Sequence, residues 1–263
     1  TLISIHRFPS TPITLDFLTQ NGSLDKNVKT FLEVASKGRL NIVISGGTGS
    51  GKTTLLNACS QHIDPTERII TIEDAAELRL QQPHVLSLET RPASLEGSRE
   101  IGQRELVKNA LRMRPDRIIL GEVRQGEAFD MLQAMNTGHD GSMGTMHANN
   151  PRDALSRLEN MIMMAGFDLP VRAIRNQIVS AVDLIVQVER MPDGQRRVVK
   201  ITEVNGIENE TVTLQELFSY KVEDNRGGRL HGTFITHNVT PRCLDKVNRF
   251  GLAPVMKSIF QSV

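Results

Sequence analysis

Tryptophan is absent and tyrosine occurs once in 263 residues, which leaves nine phenylalanines as the remaining aromatic stock. So few flat rings argue against a surface that stacks nucleobases, sugars or proline-rich peptides. Cysteine is nearly as scarce. Cys59 and Cys243 cannot build a disulfide framework or a four-cysteine zinc site, and two such thiols suit a reducing compartment. No apolar run approaches the ~20 residues of a membrane helix; residues 161–167 are among the longest. Neither sign of charge dominates, because 31 Lys+Arg stand against 30 Asp+Glu for a net +1. That excludes a polybasic arm or an acidic tail as the main business, though not a local basic patch. With 39% hydrophobic and 23% charged residues the chain is ordinary globular stock, long enough for one or two domains and a core without disulfides. The start, Thr1-Leu-Ile-Ser-Ile5, has neither an initiator Met nor the basic and long apolar regions of a signal peptide. It reads as a chain cut out of something longer.

From residue 38 to about 204, short β-branched runs alternate with longer helical patterns, the signature of an α/β fold on a largely parallel sheet. Strands are expected at 41–45, 68–72, 117–120, 142–147 and 183–188, with 197–204 returning as a hairpin partner after the turn Met191-Pro-Asp-Gly194. Helices are expected at 52–60, 103–113, 125–135, 153–164 and 171–180. Residues 1–22, with Pro9, Pro12 and Gly22, look like one strand plus a linker. Asn225-Arg-Gly-Gly228 breaks the pattern near the other end. The expected division is therefore 1–22, a main domain over 23–222, and a small appendage over 223–263.

Gly46-Gly47-Thr48-Gly49-Ser50-Gly51-Lys52-Thr53 satisfies the phosphate-loop spacing between an apolar strand and a helix. Glycines let the backbone curl so that its N–H groups and the helix start face phosphates. In such a loop Lys52 reaches the β/γ-phosphates and the Thr53 hydroxyl ligates Mg²⁺; Thr54 has a weaker claim, since its hydroxyl can also bond back to its own helix. A Mg²⁺–nucleotide site needs an acid at a neighbouring strand end, and Glu122 after Arg117-Ile-Ile-Leu-Gly121 supplies one. Hydrolysis needs a base to orient water. Glu73 and Asp74 end the second strand, and because neighbouring strand residues point to opposite faces, only one can serve unless the strand has already ended. In Met143-Gly-Thr145-Met-His147 an extended chain puts Thr145 and His147 on one face, where both could sense phosphate. A pair such as His139 and His147 otherwise suggests a metal, but only Asp140 lies near them in sequence and no cysteine completes a set.

These blocks, in this order, resemble the secretion ATPases that drive type II and type IV secretion and pilus assembly. Residues 46–53 match the phosphate loop, 69–77 an aspartate box, 114–124 an atypical Walker B, and 138–149 a histidine box. Leu111-Arg-Met-Arg-Pro-Asp-Arg-Ile-Ile-Leu-Gly-Glu-Val-Arg124 is characteristic of the type IV secretion and tight-adherence side. Gln133-Ala-Met-Asn-Thr-Gly-His-Asp-Gly141 and Asp183-Leu-Ile-Val-Gln187 look most like tight-adherence (Flp) pilus ATPases. The resemblance implies a RecA-like P-loop core that uses ATP and Mg²⁺, with Glu73 as the hydrolytic carboxylate and Glu122 on the magnesium side. It further implies a cytoplasmic homo-hexamer, held peripherally at the inner membrane against a polytopic platform protein. A preceding domain is implied as well, joined through a strand for which Ile5-His6-Arg7-Phe8-Pro9 stands here, with Arg7 in the place of a nucleotide-contacting arginine.

The reading is an ATP-hydrolysing motor for tight-adherence pilus assembly or retraction, with a type IV secretion ATPase as its alternative. Arg91, Arg104, Arg112, Arg114 and Arg124 are candidates to stabilise charge in phosphoryl transfer. A nucleic-acid motor, the rival from another class, fits the net charge and the lack of aromatics poorly, so no nucleic acid is expected. A nucleotide-binding scaffold without turnover would need a degraded set, whereas Lys52, Thr53, Glu73, Glu122 and His147 are all present.

Overall fold

The protein is described by a computed structural model over residues 12–93 and 99–261. Two helices precede the phosphate loop. α1 (Leu15–Gln20) starts at Thr14, whose hydroxyl accepts from the Phe17 amide, and α2 (Lys26–Lys37) starts at Asp25, whose carboxylate accepts from the Val28 amide. Each is a side-chain N-cap of the ordinary kind. The linker expected up to residue 22 is thus partly helical, because Thr14 and Asp16 outweigh Pro12 and Gly22 as local signals. The expected strand over 5–9, with Arg7, lies outside the described residues.

The alternating core follows: β1 (Ile42–Gly46), α3 (Lys52–Ser60), β2 (Ile69–Glu73), β3 (Val85–Glu89), α4 (Gln103–Ala110), β4 (Arg117–Val123), α5 (Glu127–Asn136), β5 (Met143–Met146), α6 (Pro151–Met164), α7 (Val171–Ala181) and β6 (Leu184–Arg190). Then come β7 (Arg196–Glu208), β8 (Thr211–Arg226), β9 (Arg229–Thr236), α8 (Leu244–Asn248) and α9 (Ala253–Gln261). All nine strands join one sheet in the order β3-β2-β4-β5-β1-β6-β7-β8-β9. The pairings from β3 to β6 are parallel, and those from β6 to β9 antiparallel.

β1 and β2 are buried along their whole length, as strands covered on both faces must be. One face carries α1, α2, α3 and α9 over Ile42, Ile44, Ile69 and Ile119. The other carries α4 to α7 over Val43, Ile70, Ile118 and Leu120. At ~1.5–3 kcal/mol for each fully buried aliphatic side chain, these two layers supply the main driving force. At the amino ends of the parallel strands Arg117 is fully buried and grips Glu67 with two hydrogen bonds of 2.6 and 2.8 Å, while it donates to the Ser36 carbonyl at 2.8 Å. A buried cation is tolerable only with such full pairing.

The sheet runs on past the boundary expected between 222 and 223, which falls inside β8. Asn225-Arg-Gly-Gly228 is the β8–β9 turn. Nor do the last helices form a separate unit. Phe260 of α9 packs on Phe31 of α2 and Phe218 of β8, with ring centroids 6.0 and 5.4 Å apart. Glu203 accepts the amides of Arg242 and Cys243 at the start of α8, and Lys246 lies 2.7 Å from both Asp140 and Asp183. Among the described residues no helix is long and apolar enough to cross a membrane.

Candidate functional site

The carboxyl ends of the parallel strands, where open α/β sheets place their ligands, border a cleft of about 1320 Å³. The phosphate loop forms its floor. Gly51, the residue before α3, sits at φ 100°, a conformation only glycine adopts cheaply. It provides no side-chain cap, and the first helical backbone bond runs from the Leu55 amide to the Gly51 carbonyl at 2.9 Å. The earlier amides therefore have no partner within the helix, the arrangement by which helix starts bind anions. Thr48, Gly49, Ser50, Gly51, Lys52, Thr53 and Thr54 all line the cleft, whereas Gly47 contributes a carbonyl from behind. The Ser50 hydroxyl is buried without a partner. The Lys52 ammonium donates to the carbonyls of Gly46 and Gly47 at 3.1 and 3.0 Å. Burial pushes its pKa below the usual lysine value; Glu122 opposes that shift and Arg124 adds to it.

Two strand ends bring carboxylates to the same cleft. β2 stops at Glu73, so Glu73 and Asp74 both line it, and the face-alternation constraint lapses. Glu73 is 3% exposed. Its Oε1 accepts the amides of Glu77 and Leu78 at 3.0 and 2.9 Å. Burial pushes its pKa up, and those two amides oppose the shift. Gly121 makes room for it, since a β-carbon there would stand 2.8 Å from Glu73 Cγ. Glu122 lies inside β4 rather than after it, beside a register shift against β5 between Leu120 and Val123. Its Oε2 accepts from Arg124 Nε at 2.8 Å, and also from Arg124 Nη2.

The histidine-box segment is divided. Thr145 lines the cleft and its hydroxyl donates to the Gly121 carbonyl. β5 ends at Met146, so the two-residue periodicity fails at His147, which does not line the cleft and lies within electrostatic reach of Asp153. His139 and Asp140 precede β5 and sit at its opposite end; His139 Nδ1 is 3.2 Å from the Ala134 carbonyl. No group of three or more His, Cys, Asp or Glu is placed to hold a metal among the described residues. Magnesium needs less. It keeps several waters and takes one or two protein oxygens plus substrate phosphates, a demand that the Thr53 hydroxyl and Glu122 fit. Both cysteines are free and buried, with the Cys59 thiol pushed up to about 12 by burial.

Of the candidate arginines, Arg124 is at the cleft, and Arg104 pairs with Asp130 at 3.0 Å beneath the Phe167 ring. Sequence reasoning missed Arg196. Its Nε donates to the Gly49 carbonyl at 2.9 Å, and its Cδ would stand 3.3 Å from a β-carbon on Gly51. The hairpin was legible, but no local signal says that its turn end would touch the phosphate loop.

The type II/IV secretion system protein family matches residues 1–224. The conjugal transfer protein TrbB of Rhizobium radiobacter is 40% identical over 209 residues, 78% of this chain and 61% of TrbB. The type IV secretion system protein VirB11 of Bartonella quintana is 42% identical over 182 residues, 67% of this chain and 50% of that protein. The chain thus spans about half to three-fifths of these relatives. Among solved structures, the VirB11 ATPase of the Brucella suis type IV secretion system, crystallised with sulphate, aligns with a TM-score of 0.61 at 33% identity. That alignment covers 74% of this chain and 57% of that one. The pilus retraction motor PilT with bound ADP aligns over 96% of this chain and 61% of its own at a TM-score of 0.53 and 20% identity, a likeness of fold alone. With a glycine-rich loop between β1 and α3 on a RecA-like sheet and a match over most of its length, this chain belongs to the type II/IV secretion system protein family.

Proposed function

We propose that this chain carries the ATP-hydrolysing core of a motor that powers type IV secretion or the assembly of a pilus. The observation that carries the reading is one cleft shared by the uncapped start of α3, Lys52, and carboxylates from the ends of two parallel strands. Backbone amides from Thr48 to Thr54 and the Lys52 ammonium would bind the phosphates. Thr53 and Glu122 would hold Mg²⁺, which when bound neutralises phosphate charge in the transition state. Glu73 would orient the attacking water. Two amides hold its Oε1 and fix the carboxylate, and burial raises its basicity. Thr145 braces Gly121 so that Glu73 can approach, while His147 takes no phosphate contact in this reading.

The finer assignments rest on the resemblance: a cytoplasmic homo-hexamer held at the inner membrane, a polytopic platform partner, and the tight-adherence pilus in particular. Conjugal-transfer and type IV secretion relatives favour the broader wording. The test is phosphate release by the chain with Mg²⁺ and ATP, with and without single-stranded DNA, beside Lys52→Ala. Turnover that Lys52→Ala abolishes and DNA leaves unchanged is expected. Wild-type turnover in Lys52→Ala would end the reading, and strong stimulation by DNA would move it to a nucleic-acid motor.

A further inference from the structure

Arg124 stands out among the cleft residues because it ties the two strand ends to each other. Nε and Nη2 both donate to Glu122 Oε2, and Nη1 donates to Asp74 Oδ2 at 3.2 Å. Asp74 is anchored in turn, since its Oδ1 accepts from Gln103 Nε2 of α4 at 3.0 Å and from the Thr90 hydroxyl at 3.2 Å. All four of Glu122, Arg124, Asp74 and Gln103 line the cleft. A carboxylate oxygen has two lone-pair directions, and on Glu122 Oε2 two N–H donors take both.

We propose that Arg124 competes with the metal for Glu122, so that loading Mg²⁺ with nucleotide favours movement of the guanidinium off that carboxylate. The inference rests on the nucleotide-site reading above. Two facts drive it. The guanidinium uses both lone pairs of Oε2 and neutralises carboxylate charge that a metal on either oxygen would use, and a divalent cation beside a guanidinium repels it through Coulomb's law. The move is inexpensive, because the Arg124 side chain is 60% exposed and an ion pair so open to water contributes little. Asp74 stays as its second anchor, so the displaced arginine remains at the cleft. Arg124 is thus a positioning residue that sets how much Mg²⁺ the site needs.

The experiment is a Mg²⁺ titration at a fixed low concentration of a fluorescent ADP analogue, reading bound nucleotide, for the wild type, Arg124→Gln and Arg124→Lys. Thermal melts run alongside. An exposed pair of this kind predicts that Arg124→Gln lowers the Mg²⁺ midpoint by about two- to fivefold. Arg124→Lys keeps the charge but loses the planar fork and should fall between. It also serves should the glutamine variant fail to fold. A purely structural salt bridge would lower the melting temperature and leave the midpoint alone. An unchanged or higher midpoint in the folded variants overturns the Arg124 inference while nucleotide binding stands. A wild-type chain that binds no nucleotide at any Mg²⁺ concentration overturns both.

Discussion

The parallel strands β3-β2-β4-β5-β1-β6 and the antiparallel strands β7-β8-β9 share one sheet but use their residues differently. The parallel strands are short, four to seven residues, and β1, β2 and β5 are wholly buried. Their charged residues gather at the ends: Glu73 and Glu122 beside the phosphate loop at one end, Arg117 with Glu67 at the other. The antiparallel strands run 13, 16 and 8 residues. One side holds Phe218 against Phe31 at 5.0 Å; on the other, Val204 and Val212 pack into the layer of α7, and Lys221 and Glu223 further along β8 are exposed. Strands that all run one way present their carboxyl ends, and the helix starts that follow, along a single edge; alternating strands scatter them. Chemistry therefore collects at one edge of the parallel half, while the antiparallel half buttresses the helices. Arg196 is the thread between them.

The largest expected effect divides the halves by stability. Phe218→Ala removes a fully buried ring and should cost about 3–5 kcal/mol, read as a shift in urea midpoint. Turnover per folded molecule should be unchanged, and a large loss of kcat in fully folded protein would break the comparison. Gly121→Ala should do the reverse. Its new methyl must push Glu73 away, and overpacking of ~1–3 kcal/mol corresponds to kcat falling about 10- to 100-fold with nucleotide affinity kept. Full turnover by that variant would show that Glu73 does not depend on the close approach. The smallest effect belongs to Arg196→Gln. One hydrogen bond to the loop, worth about 0.5–1.5 kcal/mol, should weaken nucleotide binding by no more than about tenfold in an equilibrium titration. A complete loss of binding would make the antiparallel half part of the site proper.

The parallel half was the legible half. Apolar runs bounded by Gly and Pro mark β1, β2 and β4, and the helix expected at 52–60 matches α3, because strand and helix periods are local properties of the chain. The phosphate loop was readable for the same reason, its spacing and its φ > 0 glycines being written in sequence. What escaped depended on contacts distant in the chain. β8 and β9 are long strands whose alternation is blurred by Glu216, Lys221 and Glu223, and they are set by pairing with β7 and with each other. β3 is a five-residue edge strand that pairs with β2. α2 could have been found, since Val28, Phe31, Leu32 and Ala35 follow the helical spacing behind the Asp25 cap. At the site, the types of the residues were legible but not their ends. Whether β2 stops before or after Asp74, and β5 before or after His147, decides which groups enter the cleft, and boundaries are the least local feature of a strand.

The central claim is that Glu73 positions the attacking water in a site that Lys52 and the phosphate loop bind independently. Its most direct test is Glu73→Gln, with nucleotide affinity and the pH profile of kcat measured for variant and wild type. Glu73 must be ionised to work, and burial raises its pKa. Wild-type kcat should therefore fall on acidification, with its acid limb displaced upward from that of an unburied glutamate, and the variant should lack that limb. The account predicts unchanged nucleotide affinity with kcat lowered about 10²–10⁴-fold. A Glu73→Gln enzyme that keeps more than half of wild-type kcat and the same acid limb would contradict it.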